Sequence, residues 1–106
     1  MALHHATPGE IVHLASVASV DDAKTSALVK TDSFEAMQLV LRAGENISNH
    51  SVPGYAIVHC LEGRAILKTT EPIELAAGDW LYFDRGQKHS VSAIEDSSLL
   101  LTVIFD

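Results

Sequence analysis

Six histidines, one cysteine and fourteen carboxylates are the side chains of this 106-residue chain with chemistry to offer. Imidazole titrates near neutral pH, so a histidine can pass a proton, hydrogen-bond a ligand or bind a metal. His50 and His89 are the two to which such a role is assigned; packed, hydrogen-bonded positions are the competing reading. His4, His5 and His13 sit near the N-terminus, where a mobile, solvated segment is expected and metal binding would be adventitious. Tyr55, Trp80 and Tyr82 are candidates to line a pocket for an aromatic or sugar-like ligand. Aromatics on strands more often fill a core or cover a sheet face, and Trp80 is expected to do so. Cys60 is the only cysteine, so no disulfide forms within the chain, which fits a reducing compartment. A reactive thiol needs an electropositive, accessible setting. Flanked by Val58 and Leu61, Cys60 reads instead as a small buried apolar residue. Glu71, Glu74, Asp79, Asp84, Glu95 and Asp96 are most simply solvated turn residues.

These residues must be positioned by short apolar runs. The runs are separated by Pro8-Gly9, Ala43-Gly44-Glu45, Pro53-Gly54, Glu62-Gly63, Ala76-Ala77-Gly78 and Arg85-Gly86. Many short strands with regular turns predict an all-β sandwich or barrel. Strands are predicted over Ile11–Leu14, Ser26–Lys30, Phe34–Leu41, Tyr55–Leu61, Arg64–Lys68, Asp79–Phe83, His89–Ile94 and Ser98–Phe105. Glu62-Gly63 and Glu95-Asp96-Ser97 read as hairpin turns. Ser16–Thr25 is the one helical stretch, a short turn capped by Ser19 and running through Asp21 and Asp22. Period-two alternation puts Cys60 on the inward face with Ala56 and Val58, and His59 on the other. The last strand is apolar on both faces, with Leu99, Leu101, Val103 and Phe105 on one and Leu100 and Ile104 on the other. A strand wetted on one side would alternate, so this one is expected to be covered on both sides, on the outside by a second subunit.

The formal net charge of −7 repels a phosphate backbone, and nucleic acid is excluded as a partner on that ground. The seven basic residues are scattered singly and form no patch. The N-terminus MALHHATPGE lacks the basic start and apolar run of a signal peptide. No apolar stretch approaches the ~20 residues that span a bilayer, so no membrane association and a cytoplasmic location are expected. One domain over residues 1–106 is expected, with a core barrel over 26–106 and an N-terminal strand and short helical turn over 1–25.

Gly44 to Gly63, GENISNHSVPGYAIVHCLEG, and Gly78 to Ala93, GDWLYFDRGQKHSVSA, resemble the two motifs of the cupin superfamily. Its single-domain members are antiparallel jelly-roll β-barrels. Gly44, His50 and Gly63 fall on the first motif, and Gly78, Gly86 and His89 on the second. The resemblance implies that paired strands bring His50 and His89 to one barrel mouth, with the glycines supplying positive φ at the corners. It also implies a small-molecule ligand there and a homodimer, the usual state of small members. Cupins commonly bind a divalent metal through two His and a Glu of the first motif and the His of the second. Here the second His position is Val52 and the Glu position is Ala56; the motif proline is Asp84 and the final Asn is Ala93. A metal site on His50 and His89 alone falls short of the three protein ligands of catalytic zinc or the His-His-carboxylate set of non-haem iron.

Three functions compete on this basis. The first is a ligand-binding module holding a small organic molecule at His50, His89, Tyr55 and Tyr82, with no metal. Val52 and Ala56 make such a cavity apolar, which suits an organic ligand over an ion. The second is a metal-dependent enzyme of the oxygenase, isomerase or decarboxylase type, using iron, manganese, nickel or zinc on His50, His89 and a third group. The third is a dimeric structural module without chemistry.

Overall fold

Alternation of apolar and polar side chains drives most of this chain into strands. A computed structural model describes residues 5–50 and 52–105, and the side chains of residues 48–50 lie outside that description. The strands are β1 (Lys24–Lys30), β2 (Phe34–Leu41), β3 (Asn46–His50), β4 (Tyr55–Glu62), β5 (Arg64–Lys68), β6 (Pro72–Ala76), β7 (Trp80–Phe83), β8 (His89–Ala93) and β9 (Ser97–Ile104). A five-stranded sheet runs β1-β2-β9-β4-β7, and a four-stranded sheet runs β3-β8-β5-β6. Neighbouring strands are antiparallel throughout both sheets. The result is an all-β jelly roll with its core between the sheets.

Leu39, Val58, Cys60, Leu99 and Leu101 from one sheet meet Leu67, Leu75 and Val91 from the other, all buried. Each such Leu or Val contributes roughly 1.5–3 kcal/mol by leaving water. Cys60 is fully buried, as its parity predicts. Burial, and secondarily the charge of Asp79, pushes its thiol pKa up, against a hydrogen bond to the Glu62 carbonyl. Strand β9 is central in its sheet, pairing with β2 on one side and β4 on the other. No helix among the described residues is long and apolar enough to cross a membrane.

Four expectations are corrected. Residues 11–14 form no strand. The N-terminal segment is held mostly by side chains: Ala15 N–H donates to Gln38 Oε1 (3.1 Å) and Val17 N–H to Glu62 Oε1 (2.9 Å). The helical stretch is a single 3-10 turn over Val17–Ser19. Ser19 sits inside it, its Oγ donating to Ser16 O at 2.8 Å, and does not cap it. Strands β3 and β6 were not anticipated. Both are edges of the four-stranded sheet, and an edge strand needs little apolar patterning because half its ladder faces outward.

The fourth correction concerns the turns. Glu62-Gly63 and Glu95-Asp96 are corners between sheets and not hairpins, because β4 and β9 lie in one sheet while β5 and β8 lie in the other. The two corners sit against each other. Ser97 Oγ accepts from Arg64 N–H (3.1 Å), and its own proton lies between Arg64 O (2.9 Å) and Glu95 O (2.8 Å). Asp96 ties in the β2–β3 crossing, accepting from Ala43 N–H at 2.9 Å and from Arg42 at 3.0 Å. Those donors, the Ala43 amide first and Arg42 after it, hold its carboxyl below the usual range. Gly63 has φ +80°, and a Cβ there would lie 2.2 Å from Asp96 O.

Two predictions follow from this packing. Gly63→Ala combines positive φ with a backbone overlap and should cost more than ~2 kcal/mol in urea unfolding. Gly78→Ala, at φ +94° with no atom within 4 Å of the added Cβ, carries only conformational strain, about 1 kcal/mol. Equal losses would remove the corner contact from the account. For Cys60, a thiol reagent at neutral pH should leave the folded protein unmodified and react fully once denaturant unfolds it; rapid labelling of the native state would contradict the burial described.

Candidate functional site

Strand β8 alternates cleanly. His89, Val91 and Ala93 point into the core, and Ser90 and Ser92 are only half-buried on the other face. Its partner β3 reads Asn46-Ile47-Ser48-Asn49-His50 and carries little strand signal. Ile47 lies opposite Val91 and His50 opposite His89, so β3 holds one residue more than β8 between those pairs. That bulge places residue 50, where unbroken register would have placed residue 49, across from His89. The His50 side chain lies outside the described residues; its backbone register is as stated.

His89 is 1% exposed. Its ring stacks on Phe83 with centroids 4.7 Å apart and planes 17° from parallel. Because β7 and β8 belong to different sheets, this stack bridges the sandwich. His89 Nδ1 lies 3.2 Å from the Gln87 carbonyl oxygen. A carbonyl only accepts, so Nδ1 carries a proton in this contact and donates it. The Gln87 contact and the Phe83 stack together fix the ring's orientation.

Across from His89, one inner row of the five-stranded sheet runs Glu35, Val103, Ala56, Phe83 by register. Val103, Ala56 and Phe83 are buried, and Glu35 is half-buried at the margin. This row lies at the opposite end of β4 and β9 from the Ser97 corner. Val52 and Phe105 pack partly buried against the same core. The barrel end therefore has an aliphatic and aromatic wall, with an oriented imidazole facing it and a carboxylate at one side. Glu35 was missed by sequence reasoning, although the signal was present: it shares odd parity with Met37, Leu39 and Leu41.

Tyr55 and Tyr82 do not join His89. In β4 the buried positions are Ala56, Val58 and Cys60, so Tyr55 leaves the outer face with Ile57 and His59. In β7, Phe83 is inside, and Trp80 and Tyr82 are outside at 57% and 59% exposure. Tyr55 and Tyr82 meet edge to face at 6.3 Å, and Trp80 lies 6.2 Å from Tyr82. The Arg85 guanidinium sits 4.6 Å from the Tyr55 ring centroid, a cation–π contact. Of the expected ligand-binding set, period-two geometry therefore puts the tyrosines on one side of the sheet and His89 on the other. Trp80, expected to fill a core or cover a sheet, lies on that outer face and remains largely open.

No cluster of three His, Cys, Asp or Glu side chains that could hold a metal occurs among the described residues. Ala56 is buried between Val103 and Phe83 in the row, and neither it nor Val52 has a donor atom. The described residues therefore do not fit a centre with three protein ligands.

The fold has many relatives among solved structures. A cupin superfamily protein from Desulfitobacterium hafniense DCB-2 is 17% identical, with all of both chains covered and a TM-score of 0.81. A protein of unknown function from Streptococcus pyogenes is 24% identical over 100% of this chain and 98% of its own, at TM-score 0.80. The DMSP lyase DddQ from Ruegeria pomeroyi DSS-3 is 22% identical, with 81% of this chain and 48% of its own covered, at TM-score 0.73. At these identities the likeness concerns the fold. No curated protein matches. The family described as Cupin domain matches residues 37–105, from within β2 to just past the end of β9. With that match spanning most of the chain and the jelly roll around it, the chain belongs to the cupin family.

Proposed function

We propose that this cupin domain binds a small organic molecule at the barrel end where His89 faces the Val103–Ala56–Phe83 row. The observation that carries the reading is the placement of His89: a buried imidazole, its Nδ1 donating to the Gln87 carbonyl and its plane held by Phe83, in register with His50. A pre-oriented polar group beside an apolar wall is how a protein orients an organic ligand. An ion at that wall would lose its water without gaining donors. Glu35, at the margin of the same row, adds a carboxylate that can discriminate among ligands.

The in-register pairing of His50 with His89 also favours a second reading, a metal-dependent enzyme with iron, manganese, nickel or zinc on the two imidazoles. That reading needs a third donor which Val52 and Ala56 cannot supply. The lyase that shares this fold is an instance of catalysis on the same scaffold, and fold alone carries no activity across.

Thermal melting of the untagged protein distinguishes the two. The parent and a His50→Ala/His89→Gln double variant are melted against small organic acids, polyols and amines, and separately against the four metal ions. A bound compound at about 100 times its Kd should raise the parent Tm by roughly 10 °C, and the double variant should lose that shift. A stoichiometric metal in the parent, lost from the variant, would favour the enzyme. An organic shift that survives both substitutions would remove the mouth as the site.

A further inference from the structure

The N-terminal segment is tied to the outer side of the five-stranded sheet at two places. Ala15 and Val17 are held by Gln38 and Glu62. Farther back, Ala6 N–H donates to Leu28 O at 2.8 Å on β1, the edge strand. Just past that bond the segment turns. Glu10 N–H donates to Thr7 O at 3.0 Å, and the Glu10 carboxylate accepts from Thr7 N–H at 2.9 Å. Between this turn and the β1–β2 end of the sheet lies a groove of about 500 Å³.

A bulge in β1 builds its floor. Unbroken register from Ala27 would set Val29 opposite Glu35, on the inner side. The bulge between Ala27 and Val29 sets Val29 opposite Ala36 instead. Leu39 and Leu41 of β2 belong to the core, so Ala36 and Phe34, of the other parity, face outward. Val29 and Phe34 thus meet Ala6 and Pro8 across the groove. The lining hydroxyls are already engaged. Thr7 Oγ1 donates to Glu10 Oε1 at 3.3 Å, and Thr31 Oγ1 accepts from the Ser33 and Phe34 amides at 3.1 Å each.

The charge of the lining is opposite to that of the chain. The chain carries −7, yet the groove is lined by Lys30 and His5 and by no carboxylate. Lys30 stands opposite Glu35 on the β1–β2 ladder, but among the described residues it closes no ion pair. It is exposed, so its stem extends the apolar wall while its ammonium stays in water.

We propose that this groove is a second ligand site, separate from the His89 mouth, and that it takes a small organic acid: a carboxylate on an apolar body the size of a medium-chain fatty acid. The volume falls within the range of small-molecule sites, roughly 300–1,000 Å³. Contact with Val29, Phe34, Ala6 and Pro8 supplies the affinity. Lys30 selects the sign of the headgroup, attracting a carboxylate and repelling an ammonium.

The test is titration of the full, isotope-labelled chain with octanoate, octanol and octylamine, followed by backbone amide NMR signals. Octanoate should shift Ala6, Thr7, Val29 and Phe34 saturably, and octylamine should not. Octanol should bind about fivefold more weakly, the worth of an exposed ion pair. Lys30→Glu should weaken octanoate about tenfold, since repulsion replaces attraction, and Lys30→Arg should keep it. Ala6→Phe fills the groove and should abolish the shifts; well-dispersed remaining signals show that each variant is folded. The His50→Ala/His89→Gln variant should bind octanoate here as the parent does. The proposal is overturned by an absence of shifts at these residues, by equal shifts with octylamine, or by binding that survives both Lys30→Glu and Ala6→Phe. Shifts lost only in the histidine variant would also overturn it, and would put the acid in the mouth.

Discussion

The pairing of β3 with β8 is the constraint on which the rest of this structure depends. These strands are separated by most of the barrel in sequence, and β3 has only one neighbour. Their antiparallel register, with one extra residue in β3, puts residue 50 opposite residue 89. A slip of one residue would turn the alternation of β3 to the other face. Without that pairing His89 would still stack on Phe83, but nothing would bring the first motif's surviving histidine beside it. The bulge is thus the local feature that decides which residue of β3 stands opposite His89.

Opposite the mouth, the barrel is closed by a different kind of interaction. The corners at Gly63 and at Asp96 touch through backbone and Ser97, and the Asp96 carboxylate ties the β2–β3 crossing to them. These contacts fix where the chain leaves one sheet for the other and so fix the register of β4 and β9. That register carries Ala56 and Val103 to the level of His89. The corner contacts and the His89 row therefore lie at opposite ends of the same strands.

Most of the fold was legible because its strands are either strictly alternating or strongly apolar. Phe34–Leu41 and Arg64–Lys68 begin and end where the pattern says. The glycines of both motifs have positive φ, as their positions imply. What could not be read locally was partnership. A corner and a hairpin use the same residues, and only the long-range pairing tells Gly63 from a hairpin turn. Strands β3 and β6 were invisible because edge strands need little apolar pattern. At the site, parity places Cys60 inward and His59 outward, as found, and puts Tyr82 on the face of Trp80. Grouping Tyr55 and Tyr82 with His50 and His89 rested on residue type, and alternation alone separates Tyr55 from Ala56. Glu35 was lost for the converse reason, since its parity matched the core residues but its charge did not suggest an inward position.

The account turns on residue 50 standing across from residue 89, which backbone proton contacts in an NMR spectrum measure directly. A strong cross-strand contact between the main-chain protons of His50 and His89, with another between Ile47 and Val91, is the predicted result. Contacts of His89 with Asn49 and none with His50 would mean an unbulged β3, and would contradict the barrel mouth described here.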